Sequence, residues 1–323
     1  MTRGIRIHET GGAEVMALEE YDLPAPEPGM ITIANEAIGI NFIDTYHRSG
    51  LYPIPLPSGL GVEGAGTVSA VGEGTDFKPG DRVVYCMTAI GAYAEEVNLS
   101  VDGVVKIPDG VSTEQAAAIA LKGATVEYLL QRTYPLKAGE TCLFHAAAGG
   151  VGLIFGQWAN ALGATTIGTV GSEEKADLAR NNGYQHVINY RTENIVERVL
   201  EITGSDKLPV VYDGVGKDTF VASLDCLRPR GLMVSFGNAS GAPEPLDLQM
   251  LAARGSLFIT RPSLPAYLLT PEERKQCFAD VFSQLSSGNV KLEINQRYAL
   301  AEAQQAHLDL EARRTTGSSI LVP

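Results

Sequence analysis

The chain has 323 residues, 45% of them hydrophobic and 20% charged, with a formal net charge of −13 at pH 7. That length predicts two domains, and the apolar share is ample for buried cores and argues against disorder. The acidic balance disfavours nonspecific binding to nucleic-acid backbones or anionic lipid surfaces, both of which need a basic face.

Cys86, Cys142, Cys226 and Cys277 form no CxxC pair and no metal-finger spacing. Four reduced thiols in a cytoplasmic protein are the expectation. The opening Met-Thr-Arg-Gly-Ile-Arg-Ile-His has no apolar h-region, so no secretion signal is expected. Residues 141–172 carry no Asp, Glu, Lys or Arg, and their length would suit a membrane helix of about 20 residues. Seven glycines, Gln157 and Asn160 interrupt them, so a buried strand-turn-helix-strand unit explains the stretch better.

To about residue 120 the chain reads as short strands and turns. Residues 4–8 and 30–34 alternate like half-buried strands, with Pro24, Pro26 and Pro28 between them. A glycine cluster at 59–66 leads into strand-like 67–71 and 80–85, and the whole suggests a small barrel or irregular sheet. From about 120 the rhythm alternates between strand and helix. Strands are predicted at 142–146, 166–170, 186–189, 210–214, 232–237 and 257–261, and helices at 151–162, 173–182, 195–203 and 218–227. Such βα units imply a doubly wound parallel six-stranded sheet, the Rossmann type of α/β fold. Past about 262 come a helix at 271–287, a strand-like stretch at 290–298, a helix at 301–313 and an apolar end. That tail is expected to return to the first domain. The predicted division is therefore 1–120 with 263–323, and 121–262.

The dinucleotide signal is Ala147-Ala-Gly149-Gly-Val-Gly152, a variant of GxGxxG with alanine first. Alone it is weak. Here it follows an apolar strand, opens a helix and is succeeded by another strand, which is the context the chemistry needs. Gly149 lets backbone approach a pyrophosphate, Gly152 lets the helix pack closely, and the helix N-terminus offers N–H groups to the anion. The choice of nucleotide falls just past the second strand, at Gly171-Ser172. No carboxylate stands there to repel a 2′-phosphate, and Lys175, with Arg313, can neutralise one. Ser172 suits an N-cap, and Glu173 and Glu174 suit a first helical turn. NADPH is the favoured cofactor; in the competing reading Glu173 holds the ribose and NADH binds.

These residues resemble the quinone oxidoreductase/zeta-crystallin family of the medium-chain dehydrogenase/reductase superfamily. The likeness rests on Gly139-Glu-Thr-Cys-Leu143, the glycine loop with Gln157, and residues 39–52, which include Asn41, Asp44, Tyr46, Arg48 and Tyr52. It extends through Gly61-Val-Glu63-Gly-Ala-Gly66, Tyr212-Asp-Gly-Val-Gly216, Ser235-Phe-Gly-Asn238, Thr260-Arg-Pro-Ser263 and Thr316-Gly-Ser-Ser319, essentially the whole chain. Asn160 departs from the pattern, where Lys, Arg or Ser is usual.

The resemblance implies a GroES-like irregular β-barrel domain joined to the Rossmann domain, with the active site in the cleft between them. It also implies a homodimer built through the last Rossmann strand. By position it places Asn41, Phe42, Ile43, Asp44, Tyr46 and Tyr128 near the nicotinamide, and Gly150 and Val151 at the pyrophosphate. Gly171, Ser172, Lys175 and Tyr190 would surround the adenosine phosphate. Val215, Gly237, Asn238, Ser240, Pro262, Ser263, Leu264 and Arg313 would complete the cofactor site.

Zinc-containing relatives have Cys where Asn41 stands and His where Val62 stands, and they carry a four-cysteine lobe that has no counterpart here. Asn and Val supply neither thiolate nor imidazole, so no metal is expected. His8, His47, His145, His186 and His307 are scattered and read as structural or solvated. Without a metal to polarise a carbonyl, alcohol oxidation is poorly served. A quinone or activated alkene accepts hydride more readily, because its conjugated oxygens delocalise the electrons.

The expected function is NADPH-dependent reduction of quinones, and the resemblance implies one-electron steps to semiquinone for zeta-crystallin-like members. Asn41, Tyr46 and Tyr52 are the candidates for orienting the acceptor, with Arg48 behind them, and an ordinary phenol can donate a proton to a reduced oxygen. For each tyrosine the competing role is ring packing alone. Two rival functions stand beside this one. One is an NADPH-dependent reductase of α,β-unsaturated carbonyls. The other is the AU-rich RNA binding of some zeta-crystallin relatives, against which the acidic balance weighs.

Overall fold

A computed structural model describes all 323 residues. They sort into two compact units, Met1–Ala124 with Tyr267–Ser287 and Leu292–Pro323, and Thr125–Ala266 with Gly288–Lys291.

The first unit opens with strands β1 (Thr2–Ile7), β2 (Ala17–Tyr21) and β3 (Met30–Gly39), then helix α1 (Phe42–Ser49). Five further strands follow: β4 (Ser58–Gly59), β5 (Glu63–Val71), β6 (Arg82–Cys86), β7 (Glu96–Ser100) and β8 (Val104–Lys106). Helix α2 (Thr113–Glu127) comes next. The second unit holds β9 (Thr141–Phe144), α3 (Gly150–Ala161), β10 (Thr165–Val170), α4 (Glu173–Asn181), β11 (His186–Asn189), α5 (Ile195–Thr203) and β12 (Leu208–Asp213). It continues with α6 (Phe220–Asp225), β13 (Leu227–Ser235), α7 (Gln249–Ala253) and β14 (Phe258–Thr260). The chain ends with α8 (Pro271–Ser286), β15 (Ile294–Ala299), α9 (Ala303–Glu311) and β16 (Ser318–Val322), largely within the first unit.

In the second unit six parallel strands run in the order β11-β10-β9-β12-β13-β14. Strand β12 is buried at every position and β9 and β10 at all but their first residue, as expected of strands covered on both faces. Helix α3 buries seven residues, Trp158 and Phe155 among them. The charge-free stretch is thus the middle of an α/β core, and no helix is long and apolar enough to cross a membrane.

The first unit carries a seven-stranded sheet, β15-β16-β3-β5-β6-β8 with β7 also on β3, and a three-stranded sheet, β2-β1-β4. Ile5, Ile7, Ile31, Ile33, Ile38, Val68, Val83, Leu300 and Leu321 meet in its core. The two-residue alternation predicted for β1 is present from Ile5 to Ile7, whereas β3 departs from it: Ile31, Thr32 and Ile33 are buried in succession, because β3 pairs with β5 and β7 on its two sides and lies in the middle of the sheet.

Two helices here depart from the expected run of strands and turns. Helix α1 follows Asn41, and the Asp44 carboxylate accepts the Asn41 N–H at 2.8 Å, satisfying one donor at its start. Gly50 at φ 82° ends it. Helix α2 begins before the rhythm change placed near 120; its alanines are buried all round, so no amphipathic period announces it. Strand β13 begins at Leu227, inside the span predicted as helix, since Leu227 already pairs with Leu208.

Candidate functional site

In the second unit the carboxyl ends of six parallel strands share one edge of the sheet. The strand order reverses between β9 and β12, the position where open α/β sheets bind ligands. The glycine loop leaves β9 at this switch. Ala146 has φ 59°, a left-handed value that is strained for a residue with a side chain. Its turn is held by the Ala147 N–H on the Thr169 carbonyl (3.0 Å) and the Gly149 N–H on the Ala146 carbonyl (2.9 Å).

Gly149 is the N-cap of α3 and no side chain caps that end, so Gly150 and Val151 begin a helix whose first N–H groups face the loop. At Gly152 a Cβ would lie 2.5 Å from the carbonyl oxygens of both Ala146 and Ala147. The position admits glycine alone, and α3 can start only because it is glycine.

The next loop carries Gly171, Ser172 and Lys175. Ser172 Oγ accepts the Lys175 N–H at 3.3 Å, the N-cap bond expected of it. Glu173 Oε1 accepts Asn189 Nδ2 at 3.0 Å, which ties that carboxylate to the end of β11. Tyr190, directly after β11, places its hydroxyl against Gly171. Four residues expected at an adenosine phosphate therefore meet at one corner.

Past β12 and β13, two loops are bonded together. The Ser240 N–H and hydroxyl both donate to the Val215 carbonyl, at 2.8 and 2.9 Å, which brings Val215, Gly237, Asn238 and Ser240 side by side. Pro262, Ser263 and Leu264 follow β14 at the same edge. Tyr128 is buried at the start of a π-helical turn, Tyr128–Thr133.

Beneath the Val215 loop lies a polar network that the sequence reading missed. The fully buried Asp213 carboxylate accepts the N–H groups of Val215 (2.8 Å) and Gly216 (3.0 Å) and the hydroxyls of Thr219 and Ser223. Because Ser223 donates to Asp213, its oxygen accepts His145 Nε2–H at 3.0 Å, and His145 Nδ1 is left to accept the Thr169 hydroxyl at 2.9 Å. Burial holds the His145 pKa below its ordinary value, so this histidine is a neutral strut. The signal available was Asp213 inside the Tyr212–Gly216 motif.

In the first unit, Asn41, Phe42, Ile43, Asp44 and Tyr46 lie at or within the first turns of α1. Tyr46 and Tyr52 are half-buried and meet edge to face, with ring centres 5.1 Å apart, and the Tyr52 N–H donates to the Tyr46 carbonyl at 3.0 Å.

Arg48, the last-ranked candidate for orienting an acceptor, is buried and committed elsewhere. Its guanidinium bonds both Glu311 oxygens (3.1 and 2.7 Å), His307 Nδ1 (3.1 Å) and the Gly11 carbonyl. His307 passes its Nε2–H to Tyr93 at 3.1 Å, and the Tyr93 hydroxyl donates to Asp44 Oδ2 at 2.9 Å. Burial, then the Arg48 charge, push His307 down to about 3, so it too is neutral. Arg313 belongs to the first unit and Lys175 to the second.

Where zinc-containing relatives carry their ligands, Val62 is buried and apolar, and Asn41 Nδ2 donates to Glu63 Oε1 at 2.6 Å. The same carboxylate pairs with the Lys122 ammonium at 3.2 Å. An ammonium already occupies the cation's place beside Glu63, and an apolar valine stands beside it, so these residues do not fit a zinc ion. No group of three or more His, Cys, Asp or Glu side chains is arranged to hold a metal ion.

Residues 150–268 match the family model described as zinc-binding dehydrogenase, and residues 27–109 the one described as alcohol dehydrogenase GroES-like domain. Both place the chain among the medium-chain dehydrogenases and reductases. It is 55% identical to a Pseudomonas aeruginosa protein named quinone oxidoreductase, over 100% of both chains. A crystal structure of Escherichia coli quinone oxidoreductase complexed with NADPH superposes with TM-score 0.98 at 54% identity, covering 100% of each chain. A 2-haloacrylate reductase from a Burkholderia species is 43% identical over 98% of both chains. The chain belongs to the quinone oxidoreductase family.

Proposed function

We propose that this chain is an NADPH-dependent reductase of quinones. The observation that carries the reading is end-to-end identity of 54–55% with three proteins named quinone oxidoreductase. The second unit fits the cofactor in detail. The N–H groups of Gly150 and Val151 would hold the pyrophosphate, and the corner of Gly171, Ser172, Lys175 and Tyr190 would take the adenosine phosphate. One oxygen of the Glu173 carboxylate is turned to Asn189 at the end of β11, and Ser172, not an acidic residue, follows the strand end. Val215, Gly237, Asn238, Ser240, Pro262, Ser263 and Leu264 would line the rest of the sheet edge.

Bound NADPH would supply a hydride from its nicotinamide ring. Asn41, Phe42, Ile43, Asp44 and Tyr46 would meet the nicotinamide end, with Tyr128, and Arg313 would add charge near the 2′-phosphate. The Asn41 carboxamide would orient the acceptor, and the hydroxyls of Tyr46 and Tyr52 would donate to the oxygen that gains charge. In this reading residues 121–262 carry most of the cofactor contacts, and 1–120 with 263–323 carry the acceptor contacts and the remaining cofactor residues.

We also propose a cytoplasmic homodimer. Strand β14 is the open edge of the six-stranded sheet, and Phe258 on it is 61% exposed. Light scattering on the purified protein gives the mass directly, and a monomer at micromolar concentration overturns the dimer.

A second reading is supported by the 2-haloacrylate reductase relative: the same residues would pass hydride to an activated alkene. One titration series decides both questions. NADPH and NADH affinities come first, then turnover against 1,4-benzoquinone, an enone and an enal. Tighter NADH binding overturns the cofactor reading, and faster turnover of the enone moves the function to the second reading.

A further inference from the structure

Asn41 (just before α1), Glu63 (the first residue of β5) and Lys122 (in α2) converge on one carboxylate. Glu63 is fully buried and Lys122 is 5% exposed. Glu63 Oε1 accepts Asn41 Nδ2 at 2.6 Å and the Lys122 ammonium at 3.2 Å, while Oε2 accepts the main-chain N–H of Leu121. The carboxylate also rests on Gly39, where a Cβ would overlap Oε1. Four neighbours thus fix one side chain: an amide, an ammonium, a main-chain N–H and a bare Cα.

A buried ion pair is a poor device for stability alone, since apolar residues of similar volume often do as well or better. This one has a directional consequence. A carboxylate can only accept hydrogen bonds, so the Asn41 amide must turn its NH2 towards Glu63 and its oxygen elsewhere. The ammonium supplies the counter-charge that a carboxylate removed from water requires.

We infer that the buried Glu63–Lys122 pair is the positioning device for the Asn41 carboxamide, fixing which of its atoms faces the electron acceptor. Both are positioning residues that act through Asn41, and the inference rests on the proposed role of Asn41 towards that acceptor. Glutamine at 63 can donate as well as accept, so Glu63→Gln frees the Asn41 amide to turn over.

The test has two arms. In 15N-labelled protein without substrate, the Asn41 side-chain amide resonance, assigned by its loss in Asn41→Ala, should shift in Glu63→Gln and in Lys122→Met. An unmoved resonance in both variants overturns the proposal, whatever the enzyme reduces. In the second arm, kcat/KM for 1,4-benzoquinone should fall on the order of tenfold to a hundredfold in Glu63→Gln. Adding Glu63→Gln to Asn41→Ala should cost nothing further. Independent, multiplying losses overturn the proposal. If Glu63→Gln fails to fold, the neutral pair Glu63→Gln/Lys122→Met serves in both arms. NADPH affinity is measured for every protein by its bound fluorescence. A wild type that binds NADPH and reduces no quinone refutes the proposed function and leaves the amide arm to decide this one.

Discussion

Asp44 Oδ2 accepts the Tyr93 hydroxyl at 2.9 Å, while its other oxygen, Oδ1, is buried with no hydrogen-bond partner. Burial pushes this carboxyl up to about 7; the bonds from Asn41 N–H and Tyr93 and the Lys122 charge oppose the rise, and the Glu63 charge adds to it. An unfolded aspartate titrates near 3.9. Below that value both states are protonated and the group is neutral to stability. Between the two values the unfolded chain releases a proton that the folded chain keeps, so stability falls as pH rises, and the penalty is complete above about 7. It amounts to roughly 4 kcal/mol as an upper bound. Asp44→Asn lacks this titration. Its melting temperature relative to wild type should therefore rise between pH 4 and pH 8, and a difference independent of pH would show that Asp44 ionises normally.

Gly152→Ala places a methyl 2.5 Å from two carbonyl oxygens, so the first turn of α3 must move away from the loop. The N–H groups proposed to hold the pyrophosphate move with it. NADPH affinity should fall by about tenfold or more, about 1.4 kcal/mol, with a smaller change in melting temperature. Wild-type affinity measured by fluorescence titration would place the phosphate elsewhere.

Asp213→Ala strands four donors: the N–H groups of Val215 and Gly216 and the hydroxyls of Thr219 and Ser223. The loss should be on the order of 3 kcal/mol or more, seen in urea unfolding, and NADPH binding should weaken because Val215 is no longer held. Asp213→Asn keeps one acceptor oxygen and should fall between the two. If the alanine variant matches wild type in both measurements, the network does not hold the loop.

Tyr46 and Tyr52 pack edge to face, a contact that phenylalanine retains. Removing one hydroxyl therefore isolates its chemistry. If the phenols donate to the reduced acceptor, Tyr46→Phe and Tyr52→Phe each lower kcat with 1,4-benzoquinone by roughly 10- to 100-fold. Unchanged kcat in both variants would reduce the pair to packing.

What the amino-acid order determined by itself is the part governed by neighbours in sequence. Apolar runs of four to six residues separated by helical periods gave the six parallel strands in place, because a buried parallel strand and its crossover helix are each local patterns. The glycine loop was legible for the same reason: strand, turn and helix N-terminus are contiguous at Thr141–Gly152. Ser172 as N-cap was legible too, since a cap bond spans three residues.

Tertiary structure alone decided the polar cores. Lys122 meets Glu63 across 59 positions, and His307 meets Arg48 across 259 and Tyr93 across 214. No local pattern encodes such pairings. A single lysine in the alanine-rich run Ala116–Ala124 was the visible trace of one of them, because a lone charge among buried alanines must find a partner. Helix α1 stayed hidden because its eight residues are mostly polar, yet Asp44, Thr45, His47 and Arg48 are buried, Asp44 and Arg48 being held by partners distant in sequence, Tyr93 and His307. Arg48 shows the consequence most clearly. Its sequence neighbours suggested a group facing an acceptor, and its packing made it the centre of a buried network instead.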